Sequence, residues 1–252
     1  MLGMAAAAGM AAAAQPEAPL AERLIAANGR IRTVRCEIRR ELEVDGATMP
    51  TLSRVWFERP DKLRVETVMP EARRIVVDGK AIHKWLDGQA EGVRIPLAEA
   101  PENELIQVRK TPGTAEEYLM RLRGVPETTL PPAEGFPIRC AYAPPSPHPY
   151  TVLALDETGR LARVEFFDPA NPTNRLLAVE FTGWKEAKPG IWIPCLQKTA
   201  IRGRDGTEVH ETLRVNGLMI NEPIEPEQFE AARHAKGVRF LSPEQAANAG
   251  KK

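Results

Sequence analysis

From Arg32 to Val44 apolar and charged residues alternate, with Val34, Cys36, Ile38, Leu42 and Val44 on one side and Arg35, Glu37, Arg39, Glu41 and Glu43 on the other. A period of two marks a strand with one dry face and one wet face. Asp45-Gly46 follows, a hairpin signal because both residues tolerate positive φ. The partner strand runs to Trp56-Phe57-Glu58. Arg59-Pro60-Asp61-Lys62 makes the next turn, into a strand over Leu63–Val68. Strands over Arg74–Val77, Ala81–Leu86 and Val93–Pro96 are separated by Asp78-Gly79 and Asp87-Gly88. No crossover helix intervenes, which predicts an antiparallel meander and disfavours a parallel α/β sheet.

Helical spacing occurs in three places. Leu20, Leu24 and Ile25 predict a short amphipathic helix over 18–28, stopped by Gly29. Residues 102–109 and 114–123 predict two more, separated by Thr111-Pro112-Gly113 and ended by Gly124. The stretch 125–149 is rich in proline and reads as loop, with Ile138–Tyr142 an edge strand. The meander then resumes with strands over Tyr150–Leu155, Leu161–Phe167 and Leu176–Trp184, a polar loop spanning Asp168–Asn174. A long hairpin follows from Ile191–Arg202 and Thr207–Leu218. Residues 15–240 therefore read as one domain, mainly β with short helices. A single curved antiparallel sheet turns its apolar face toward the helices, the only material available to cover it. Residues 241–252 read as an unstructured tail.

The first fourteen residues, MLGMAAAAGMAAAA, are too short to span a bilayer. Ala12-x-Ala14 fits the small-residue cleavage pattern of a secretory signal peptide, although no basic residue precedes the apolar run. Export to the periplasm is the expectation. Lys plus Arg and Asp plus Glu both number 34, so the formal charge is zero. That balance argues against a nucleic-acid binder, which needs clustered positive charge. Arg30, Arg32, Arg35, Arg39 and Arg40, with Arg73, Arg74, Lys80 and Lys84, read as a solvated sheet face or a contact for an anionic surface. The three cysteines, Cys36, Cys140 and Cys195, lie far apart and read as buried free thiols, with one disulfide open as an alternative. Neither a zinc signature, a nucleophile elbow nor a P-loop occurs, and His83, His148, His210 and His234 are scattered. The expectation is a binding protein without metal or cofactor, not an enzyme.

The segment Val55-Trp56-Phe57-Glu58-Arg59-Pro60-Asp61-Lys62-Leu63-Arg64-Val65-Glu66 resembles the outer-membrane lipoprotein carrier family, the LolA-like proteins. The next hairpin, Ile75-Val76-Val77-Asp78-Gly79-Lys80-Ala81-Ile82-His83-Lys84-Trp85, matches in order and spacing, and the likeness covers roughly residues 20 to 230. The resemblance implies an incomplete β-barrel with a helical lid, and an apolar interior that holds the acyl chains of a lipoprotein crossing the periplasm. It also implies that Arg59, the arginine of the Arg-Pro turn, bonds to the lid in the closed state. Membrane-associated donor and acceptor proteins would be the partners. The same superfold also serves as an envelope regulatory or sensor module that binds a protein.

A loosely covered concave sheet suits an elongated apolar ligand. Each methylene removed from water contributes about 0.8 kcal/mol, so a long chain gains on the order of 10 kcal/mol. Strand alternation nominates Val34, Ile38, Leu42, Trp56, Leu63, Val65, Ile75 and Val77 as cavity-lining positions.

Overall fold

A computed structural model describes residues 18–145, 148–203 and 206–249. The expected signal peptide lies outside them. The chain opens with helix α1 (Leu20–Asn28) and a meander of β1 (Thr33–Val44), β2 (Ala47–Glu58), β3 (Lys62–Met69), β4 (Arg73–Asp78), β5 (Ala81–Leu86) and β6 (Glu91–Pro96). Helices α2 (Glu102–Arg109) and α3 (Glu116–Leu119) follow, the latter continuing as a 3-10 turn over Met120–Leu122. A second meander comprises β7 (Glu127–Leu130), β8 (Ile138–Tyr142), β9 (Tyr150–Leu155), β10 (Leu161–Asp168), β11 (Asn171–Lys188), β12 (Ile191–Arg202) and β13 (Glu208–Ile220). The chain ends in α4 (Ala231–His234), β14 (Arg239–Leu241) and α5 (Pro243–Ala249).

Among the described residues fourteen strands form one curved sheet that does not close into a barrel. Each meander is antiparallel, and β1 pairing with β13 fuses the two. Register sets the faces. Val34 pairs with Phe57, Phe57 with Leu63, Leu63 with Val77 and Val77 with Ile82, so one apolar row crosses five strands. Cys140, Leu153, Val164 and Val179 make the equivalent row across β8–β11. This inner face carries the core. Val108 of α2 packs on the first row, and Leu20, Leu119 and Leu122 pack on the second. The three helices therefore cover the inner face as a lid.

Two expectations are corrected. The polar loop over 168–174 is a two-residue turn, because Asp168 Oδ1 accepts the Ala170 N–H at 2.8 Å and β11 starts at Asn171. The tail is structured over its described part. β14 pairs in parallel with β6, and α5 opens with Ser242 Oγ accepting the Gln245 N–H. Phe240 supplies the apolar contact that anchors it. Cys36, Cys140 and Cys195 are all free, and burial pushes the Cys36 thiol up to about 12, with Cys195 adding to the shift. Among the described residues no helix is long and apolar enough to cross a membrane.

Candidate functional site

The turn after β2 places Arg59 at the rim of the inner face. Its backbone N–H donates to Arg32 O at 2.9 Å, which fixes the turn against the start of β1. The guanidinium then reaches every part of the lid. Nε donates to Ile31 O at 2.9 Å, just after α1, and Nη2 meets Asn28 O, the last residue of α1, at 3.4 Å. Nη1 donates to Arg109 O at the end of α2, at 3.3 Å. Nη2 also donates to Thr111 Oγ1 at 2.6 Å and to both carboxylate oxygens of Glu116, at 2.7 and 2.9 Å.

Glu116 is a carboxylate inside an apolar interface, with its side chain 4% exposed. Such a charge is tolerated only when paired and fully hydrogen-bonded. Here Arg59 supplies the charge, while the Thr111 N–H and Thr111 hydroxyl donate at 2.7 and 2.6 Å. Thr111 holds its pose because Thr114 Oγ1 donates to its carbonyl. Gly113 makes this loop possible. Its φ is +77°, and a Cβ there would stand 2.9 Å from Val215 Cγ2 on the sheet. Outside the guanidinium, Arg109 pairs with Asp61 at 2.7 Å and Lys110 with Glu117 at 2.6 Å.

The far end of α1 has its own fastening. Pro19 precedes the helix and offers no side-chain cap. Instead Glu127 of β7 accepts the Leu20 N–H at 2.6 Å, and the fully buried Tyr142 accepts the Ala21 N–H at 3.0 Å while donating to Glu127. Burial alone would raise the Glu127 carboxyl. The hydrogen bonds from Tyr142, Leu20 and Cys140 outweigh it and hold the group below its usual range.

Beneath the lid the inner face is largely filled. Val34, Leu63 and Val77 are buried in the core under α2, and Ile38, Val65 and Ile75 lie half-buried at its margin. Leu42 sits half-exposed beyond the helices, paired with the exposed Met49. Trp56 is a correction. Val55 and Phe57 pair with Cys36 and Val34 and point inward, so Trp56 points out, its ring 4.3 Å from the Arg64 guanidinium. An apolar cleft of ≈ 200 Å³ lies between α1, Leu119 and the strand ends carrying Phe181, Trp184, Trp192 and Pro194. None of the nominated lining residues borders it.

The family resemblance nominated Arg59, but its partners were not nominated. Glu116 is three residues from Leu119 and six from Leu122, so it shares their apolar stripe; an acid at that position was the available signal. Glu127 and Tyr142 are 107 and 121 residues from their α1 partners and gave no local signal.

No family profile matches this sequence, and no curated protein matches it in sequence. Solved structures do match in shape. A LolA superfamily protein from Nitrosomonas europaea aligns over 84% of this chain and 98% of its own, with 12% identity and a TM-score of 0.54. A putative outer membrane lipoprotein-sorting protein domain from Vibrio parahaemolyticus aligns over the same shares, with 15% identity and a TM-score of 0.55. A DUF1329 family protein from Desulfovibrio piger covers 85% of this chain and 95% of its own, at 12% identity and a TM-score of 0.51. The fold is therefore LolA-like.

Proposed function

We propose that this chain is a periplasmic carrier that holds lipid, or the acyl chains of a lipoprotein, against the inner face of the sheet once the helices move aside. The observation that carries the reading is the Arg59 fastening. One side chain on the sheet rim bonds to the ends of α1 and α2 and to the loop and first turn of α3. A polar fastening over an apolar interface separates two needs: the apolar contacts can be exchanged for those of a ligand, and the ion pair sets when. The cleft of ≈ 200 Å³ is below the roughly 300 Å³ at which ligand pockets begin, so loading requires the lid to move. The chain would then lie along Ile38, Leu42, Val65 and Ile75, flanked by Met49. In this reading the protein acts by binding alone, receives cargo at one membrane and yields it to a partner at the other.

The test is direct. Protein purified from the cell envelope is extracted and its lipids identified by mass spectrometry, and a fluorescent acyl probe is titrated into delipidated wild type, Arg59→Leu and Ile38→Asp. The reading expects co-purified acyl lipids, tighter or faster probe uptake by Arg59→Leu, and loss of uptake in Ile38→Asp. No lipid and no uptake in any of the three would reject it. The filled inner face favours a second reading in that event, an envelope module that binds a protein through a lid that stays shut.

A further inference from the structure

We propose that the C-terminal segment from Glu222 to Ala249 is an acid-released strap over the outer face of β3–β6, with His83 as the group that takes the proton. This inference is independent of the carrier reading.

The strap crosses the face opposite the lid. Gln228 bonds to Arg64 on β3, and Phe229 lies under the Lys62 ammonium at 5.6 Å. Ala231 and Ala235 pack on Val76 and Trp85 in a small outer core. Beyond them the strap is held by three residues of parallel pairing, Arg239 to Leu241 on β6, and by the ring of Phe240. That ring meets His83 edge-on at 4.9 Å and Trp85 at 5.7 Å. Gly92 makes the approach possible, because a Cβ there would stand 3.0 Å from the Phe240 ring and 2.8 Å from Lys84 O.

His83 is 8% exposed, and neither ring nitrogen has a hydrogen-bond partner among the described residues. A neutral imidazole in that setting already costs stability, and an imidazolium costs more. The charged groups around it offer little compensation. From β4, Asp78 Oδ2 is 3.4 Å from Nε2, while its other oxygen accepts the Lys80 and Ala81 N–H groups. From β6, Arg94 sits directly opposite, and Arg64 of β3 lies across Val76 in the same row. β14 presents the Phe240 ring, its neighbour Arg239 being paired with Glu91. On α4, His234 meets Glu227 O at 3.2 Å and is influenced by Arg64 and Glu66 rather than by His83.

Burial holds the His83 imidazole below its ordinary range, and the opposing pull of Asp78 is outweighed. The sign follows. Attachment of the strap is complete above the free-imidazole value of about 6.5 and weakens as pH falls below it. Release uncovers the edge of β6 and the Val76–Trp85 patch, turning a covered face into one that can accept another strand.

Hydrogen exchange of the full chain, resolved by peptide and corrected for intrinsic rates, is measured at pH 7.5, 6.0 and 5.0. The expected result is faster exchange across 236–246 at low pH, by about tenfold for each unit separating the clasped and released imidazole, with 150–167 unchanged. His83→Phe, or His83→Leu should that variant fail to fold by circular dichroism, removes the response. His234→Gln keeps it, and Phe240→Ala leaves the strap open at every pH. Wild-type protection that is flat with pH, a response that survives loss of His83, or one abolished by His234→Gln would each overturn the proposal.

Discussion

Replacing Arg59 with leucine removes the guanidinium, and with it both the lid hydrogen bonds and the cation–π contact over Phe57. The loss strands Glu116, whose side chain is 4% exposed, while Arg59 itself is 17% exposed, so solvent screens the pair weakly. Breaking one side of a buried ion pair costs about 3–5 kcal/mol. Glu116 retains its two bonds from Thr111, which places the cost near the lower figure. The sheet rows do not depend on this pair, so the cost falls on closure of the lid. About 3 kcal/mol corresponds to an opening equilibrium on the order of 100-fold larger. Native-state hydrogen exchange reads this as faster exchange over 102–122, with 150–167 as the internal reference. Glu116→Leu supplies the second arm. The double variant Arg59→Leu/Glu116→Leu should cost clearly less than the two single changes added, since it leaves no orphaned charge. Unchanged exchange over 102–122, or strict additivity, would refute the fastening.

Tyr142→Phe removes both the acceptor for the Ala21 N–H and the donor to Glu127, and should cost about 1–2 kcal/mol, read as faster exchange over 20–24 with 102–122 unaffected. Because Glu127 titrates below its ordinary value, its contribution is present above the unfolded value of about 4.3 and fades as pH falls through the lower folded one; an acid titration followed by exchange at Leu20 should show that order. Its partial exposure keeps the effect small. Gly113→Ala places a Cβ 2.9 Å from Val215 Cγ2 at φ +77° and should lower the urea midpoint by the equivalent of about 1–3 kcal/mol. Ile38→Asp should weaken acyl-probe uptake while Trp56→Leu, on the outer face, leaves it intact; equal losses in both would mean the probe does not use the inner face.

The sheet was legible because its information is local. Alternation around Val34 and the Asp45-Gly46, Asp78-Gly79 and Asp87-Gly88 turns each specify their neighbours within a few residues. Trp56 shows the limit of that reading. Alternation placed it among the lining residues, but the pairing Val34↔Phe57 sets the parity of β2, so Trp56, opposite Arg35, points outward. Leu241 to Ala249 was misread for a related reason: the stretch is polar, and what orders it is Phe240 seated against Trp85 and Gly92, more than 145 residues away in sequence. Arg59 was nominated through its turn motif. Glu127 and Tyr142 were not, since a hydrogen bond between distant segments leaves no periodic trace, while Glu116, an acid inside the Leu119–Leu122 stripe, and its partner Thr111 were passed over.

A filled hollow and a carrier are compatible when the filling is exchangeable. The lid presents Leu20, Ile106, Val108, Leu119 and Leu122 as buried side chains. At about 1.5–3 kcal/mol each, lifting them from the interior costs on the order of 10 kcal/mol. A fourteen-carbon chain laid in their place recovers a similar amount, at about 0.8 kcal/mol per methylene. On the carrier reading the inner face would stay covered by apolar groups in either state, and the two hydrophobic terms nearly cancel. What remains on the proposed carrier reading is the polar fastening; lid opening returns both of its charges to water, so its net weight is much smaller than the cost of about 3–5 kcal/mol for orphaning one partner. A modest term of this kind tips the balance between near-equal alternatives. On the same proposed reading, an arginine bound to three lid segments at the rim is placed so that an acidic group of a partner competes for its guanidinium and moves the lid without touching the cargo.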